Sequence, residues 1–211
     1  MEIVSINKSI NLSEHLASPS EAALGHLSEL NGSRLSPHFS LGEVTKSSHT
    51  EINNIPSHVA IENLKRVCTW LEALRYRYNQ RYVLGGSSSS PESGEDRRGL
   101  NKRDFRPPLA PPNLGGEVEP IIINSGYRSP ELNKKVCGSP TSNHLTGCAV
   151  DIRVAGIEQA FRYAVILMDY ADETKQDYDE LLIERNKGGE YWLHFAVRPK
   201  ENRRKTRFLQ V

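Results

Sequence analysis

Leu64, Val67, Cys68, Leu71, Leu74 and Tyr78 recur at three- and four-residue steps, the spacing of one apolar face on a long helix. Lys65, Arg66, Glu72, Arg75 and Arg77 lie mostly off that face, and Pro56 suits its first turn. Ser40-Leu41-Gly42-Glu43 reads as a capping box, with Phe39 and Val44 as the flanking hydrophobic staple, so a short helix is predicted to open there. Ile157, Ala160, Phe161, Ala164, Leu167 and Met168 predict a further amphipathic helix.

Between these helices the period changes. Pro120-Ile121-Ile122-Ile123-Asn124 is a β-branched run of the kind found in buried strands. Ser125-Gly126-Tyr127-Arg128 then turns the chain, and Ser129-Pro130 is the N-cap and first residue of a short helix. Residues 148–154 alternate as a strand does, and residues 178–184 and 191–197 form a hairpin about Asn186-Lys187-Gly188-Gly189. The order predicts an α+β domain, a small antiparallel sheet packed with helices. Its expected limits are 38–199, after a polar leader at 1–37 and before a basic C-terminal tail at 200–211. Residues 85–119, rich in Ser, Arg and paired prolines, read as a low-complexity insert, either a flexible loop or a basic partner-binding segment.

Composition narrows the partners. A formal net charge of +1 over 211 residues favours neither nucleic acid nor an anionic membrane. No run approaches the roughly 20 apolar residues of a membrane span, and Met1 to Ala17 lacks the apolar core of an export signal. Cys68, Cys137 and Cys148 are odd in number and scattered, which argues against a disulfide framework and suits synthesis in a reducing compartment. A monomer made in the cytoplasm is expected.

The candidate chemistry lies in Ser142-Asn143-His144-Leu145-Thr146-Gly147-Cys148-Ala149-Val150-Asp151 and, downstream, Trp192-Leu193-His194. Two imidazoles and one carboxylate are a ligand set that leaves zinc an open position, as catalytic sites require. Asp151 would project from a strand, His144 from the loop before it, and Gly147 would let that loop turn back. Alone, the spacing of His144 and Asp151 is a weak signal, because single histidines and aspartates are commonly surface or capping groups.

The wider pattern is specific. Ser125-Gly126-Tyr127-Arg128-Ser129-Pro130, Leu132-Asn133, Val136, Gly138-Ser139, the S-x-H-x-x-G-x-A-x-D stretch from Ser142 to Asp151, and Trp192-x-His194 together resemble the M15 zinc peptidases. These are the D-alanyl-D-alanine carboxypeptidases and related peptidoglycan endopeptidases. Phe39-Ser40-Leu41-x-Glu43 and Asn63-Leu64 extend the resemblance upstream. It implies a single zinc-peptidase domain of the hedgehog/D-Ala-D-Ala peptidase-like fold, one zinc ion held by His144, Asp151 and His194, and a peptidoglycan stem peptide as substrate. It places Arg128 at the scissile carbonyl or a substrate carboxylate, and Ser142 at the peptide backbone or terminus.

Two positions depart from the family. Many members carry an acid three residues before the last histidine, where this chain has Tyr191; Glu184 and Glu190 are the nearby carboxylates. Along one strand Glu190 would sit roughly 13 Å from His194, whereas Glu184 on the paired strand would lie diagonally at about 7–8 Å if the register is odd across the turn. Glu184 is therefore the expected general base. Cys137 stands where glycine is common, and Trp192 reads as a packing residue behind the ligand strand. The missing acid at position 191 leaves a second reading open, a non-catalytic zinc-containing module that binds cell-wall peptide or a protein. A wall substrate with no export signal would call for a phage-type or other non-standard release route.

Overall fold

The computed structural model describes residues 32–84 and 118–211. Residues 1–31 of the expected 1–37 leader and residues 85–117 of the expected 85–119 insert lie outside the described residues.

Helix α1 (Leu41–Thr45) starts at the capping box: Ser40 and Glu43 satisfy each other's backbone N–H groups, while Phe39 and Val44 are buried beside them. Helix α2 (His58–Tyr78) is capped by Ser57, so Pro56 stands just before the cap and not in the first turn. All six residues of its expected face are buried, and so is Trp70. The helix runs on into a π-turn (Asn79–Val83), where the buried Asn79 side chain exchanges two hydrogen bonds with the Glu119 backbone.

Strand β1 (Ile123–Ser125) is shorter and later than the β-branched run suggests. It is an edge strand with a register shift; Ile121 turns into the core and Ile122 faces out, so the run does not form one continuous buried strand. Helix α3 (Pro130–Lys135) begins at Ser129 as expected. A 3₁₀ turn (Asn143–Thr146) leads into β2 (Ala149–Arg153), then α4 (Ile157–Thr174), β3 (Glu180–Arg185) and β4 (Tyr191–Ala196). On α4 the core face is rotated from the expected one. Tyr163, Ile166, Tyr170 and Ala171 join Ala160, Ala164 and Leu167 inside, whereas Ile157 and Phe161 are exposed. The two tyrosines, left out of an aliphatic pattern, set the true face: Tyr170 meets Trp70 edge-on at 4.8 Å and Tyr163 meets Tyr78 likewise.

The basic C-terminal segment contributes β5 (Lys205–Gln210), which pairs in parallel with β3. The sheet order is therefore β1-β2-β4-β3-β5, and the sheet is mixed, not wholly antiparallel. Charge explains why this polar stretch stays down. Asp179 is fully buried and accepts hydrogen bonds from Arg198 and Arg203, while Lys205 pairs with Glu180 at 2.8 Å.

The sheet has two unlike faces. Val150, Ile152, Leu181, Ile183, Leu193 and Phe195 pack against α2 and α4 as the main core. The opposite face carries Asp151, His194, Leu182 and Glu184, since residues directly opposed across paired strands point the same way.

Candidate metal centre

Three separate elements bring their side chains to that second face. His144 sits in the 3₁₀ turn, which Ser142 caps by accepting the His144 N–H at 3.3 Å. Gly147 closes the turn at φ 70, and a Cβ there would stand 2.5 Å from the Ala60 carbonyl oxygen. Only glycine combines the left-handed backbone with so close an approach to α2.

The His144 ring is set by its far nitrogen. Nδ1 lies 2.6 Å from the Gly126 carbonyl oxygen. A carbonyl can only accept, so Nδ1 carries the proton and the Nε2 lone pair faces the site, 3.3 Å from Asp151 Oδ1. Gly126 has its own constraint, because a Cβ would fall 2.2 Å from the Val44 carbonyl oxygen. Gly126→Ala is thus expected to push β1 off α1 and to displace the carbonyl that orients His144. A loss of about 1–3 kcal/mol in chemical denaturation, together with weaker metal binding by chelator competition, is the expected outcome.

Asp151 stands directly opposite His194 in the β2–β4 ladder. Its Oδ1 lies 2.8 Å from His194 Nδ1, and its Oδ2 accepts from Arg128 Nη2 at 2.6 Å. Arg128 also donates through Nε to Ser125 Oγ at 2.9 Å. One ligand atom from each of His144, Asp151 and His194 lies within 4.8 Å of the others, and all three residues are buried. Two imidazole nitrogens and a carboxylate oxygen converging from a rigid frame match the donor chemistry of a three-ligand zinc site.

The electrostatics fit a cation. Burial opposes the Asp151 charge, but the two histidines outweigh it and hold the carboxyl well below the usual carboxylate range. Burial likewise opposes protonation of His194, yet its hydrogen bond to Asp151 and the nearby Glu180 push it up to about 9. A metal arriving at neutral pH must therefore displace a proton from this ring.

Two glutamates on β3 share the site face and differ in environment. Glu184 faces Trp192, two residues along from the Leu182–His194 pair, so it is diagonal to His194. The β3–β4 connection is residues 186–190, which gives the odd register that this placement requires. Trp192 is not behind the ligand strand; it is on the site face, and its indole Nε1–H donates to Glu184 Oε2 at 2.6 Å. Burial raises the Glu184 pKa above its ordinary value. Glu190 lies exposed in the turn, bonded to Asn186.

Glu180, which the sequence reading missed, is at the other end of β3 on the same face. Its Oε2 is 3.7 Å from His194 Nε2, and Asn143, Arg203 and Lys205 surround it. The His194 ring, and then the Lys205 ammonium, hold its carboxyl well below the usual range against the opposing effect of burial. The available signal was the four-residue spacing of Glu180 and Glu184, which puts two acids on one side of a strand. Cys137, at φ 55 just after α3, occupies a left-handed position, a physical reason for glycine being common there.

A family model described as Peptidase M15 matches residues 114–174. The matched segment holds Arg128, Ser142, His144 and Asp151; β3 and β4 lie beyond it, and the sheet register returns His194 to the same cluster. No curated protein matches the chain. The Asp151–His194 pairing across β2 and β4 completes the ligand set that the matched segment opens, so over residues 114–174 the chain is similar to the M15 peptidases.

Proposed function

We propose that the protein is a zinc-dependent peptidase that hydrolyses a peptide bond in bacterial peptidoglycan stem peptides. The observation that carries this reading is the convergence of His144 Nε2, Asp151 Oδ1 and His194 Nδ1, with Glu184 diagonal to His194 on the same face. A bound zinc ion would supply Lewis acidity and lower the pKa of a water at its open position to about 7.

The chain's own residues would do the rest. Glu184, kept by burial from being a weak base, accepts a proton from the attacking water on a carboxylate oxygen and returns it to the leaving amine. Trp192 fixes the orientation of that carboxylate through its indole N–H. Arg128 uses Nε and one Nη2 proton on Ser125 and Asp151, which leaves other guanidinium N–H groups for the scissile carbonyl or a substrate carboxylate. Ser142 is half-buried beside His144, where its hydroxyl can still donate to the peptide backbone.

The test is mass spectrometry of purified muropeptides incubated with zinc-replete and chelated protein. Release of terminal D-alanine with zinc alone identifies a carboxypeptidase, and internal cleavage an endopeptidase. Zinc and muropeptide binding without any product would overturn the enzyme reading in favour of a binding module.

A further inference from the structure

We propose that Glu180 is a positioning residue for the metal centre, and that through it the C-terminal strand β5 is part of that centre. The inference rests on reading His194 as a metal ligand. His194 turns Nδ1 toward Asp151 at 2.8 Å, which leaves Nε2 as the outward nitrogen, 3.7 Å from Glu180 Oε2. That separation is an ion-pair contact, longer than a formed hydrogen bond. When Nδ1 ligates, Nε2 must carry the proton, and an anion facing it holds the ring in that tautomer and makes the ligand more basic.

Glu180 is held in turn from two sides. Lys205 Nζ meets its Oε1 at 2.8 Å and Arg203 Nη2 meets the same oxygen at 3.0 Å, both from the segment that enters β5. Asn143, next to His144, donates to Glu180 Oε2 at 3.1 Å and to the buried Asp179 at 2.8 Å. One carboxylate thus touches the ring of one candidate ligand, the neighbour of another, and two cations of the C-terminal segment. Two cations and the Asn143 amide hold this carboxylate, whereas Glu184 accepts from the Trp192 indole, so the two acids of β3 have different partners at the site.

The experiment uses the full chain with zinc alone as probe. Zinc affinity is measured by competition with a chromophoric chelator for the wild type, Glu180→Gln, Lys205→Met and His194→Ala. The Nε2–H resonance of His194 is followed by ¹⁵N NMR in the zinc-loaded protein. Glu180→Gln is expected to weaken zinc binding by roughly 10–100-fold and to move the Nε2–H resonance upfield. Lys205→Met, which leaves Glu180 in place but loosens it, is expected to give a smaller loss of the same sign. It stands in as the test if Glu180→Gln does not fold. Wild-type affinity with an unmoved Nε2–H signal in the folded variants overturns the role of Glu180 alone. Unchanged affinity in His194→Ala overturns the ligand assignment, and this inference with it.

Discussion

Replacing Asp151 by asparagine is expected to remove zinc binding and, with it, all peptidase activity. Asparagine keeps the volume and one acceptor oxygen but not the charge. In the native protein that charge faces His144, His194 and Arg128 from a buried position in the middle of the sheet. The expected loss of zinc affinity by titration calorimetry exceeds the roughly 10–100-fold typical of groups that merely hydrogen-bond a ligand. Stability should fall as well, by about 3 kcal/mol in denaturant titration, because the guanidinium of Arg128 loses its buried counter-ion.

The sign of the pH dependence follows from the depressed Asp151 pKa. A carboxyl held lower in the folded than in the unfolded chain stabilises fully above the unfolded value of about 4, and this advantage fades as pH falls toward the folded value. The gap between wild type and Asp151→Asn should therefore narrow in acid. Zinc uptake at pH 7 should release a proton from His194, and apparent affinity should rise with pH up to about 9. Wild-type zinc affinity in Asp151→Asn would sink the assignment.

Glu184→Gln is expected to separate chemistry from metal binding. Glutamine preserves the shape of the side chain and can still accept from the Trp192 indole, but it cannot take up a proton. The rate of muropeptide cleavage should fall by about 10²–10⁴-fold while zinc affinity stays near that of the wild type. In the wild type, activity should decline as pH drops through a value above 4.5, since burial raises the Glu184 pKa and the protonated acid is inert as a base. Trp192→Phe removes a donor that favours the charged form, so the acid limb should move to still higher pH. An equal cleavage rate in Glu184→Gln would assign the proton transfer elsewhere.

Much of the frame was legible because it is written in local chemistry. The capping box at Ser40, the three- and four-step face of α2, the Ser129-Pro130 start of α3 and the β3–β4 hairpin each follow from residues within one or two turns of each other. The candidate ligands were legible for another reason: a three-ligand zinc site admits few residue types, and the family motif fixes their order. The turn residues around them have physical grounds in the packing of Gly126 on Val44 and Gly147 on Ala60.

Other features depend on partners far along the chain. Strand β5 carries four Lys or Arg residues within or just before it and little apolar pattern; it joins the sheet because Asp179 and Glu180 bind Arg203 and Lys205. The α4 face turned toward Tyr163 and Tyr170 because Tyr78 and Trp70, on a different helix, were waiting for them. Glu180 and Trp192 gained their places at the site only from the β3–β4 register.

By itself the sequence determined the local elements, the ligand types and the glycines that bend the chain about them, since propensity, capping and donor chemistry act over a few residues. Tertiary structure alone decided which nitrogen of each histidine faces inward, which glutamate meets the Trp192 indole and which is held by cations, and where the last strand runs. Those outcomes depend on the electrostatic and steric surroundings that pairing across the sheet creates, and no single segment contains them.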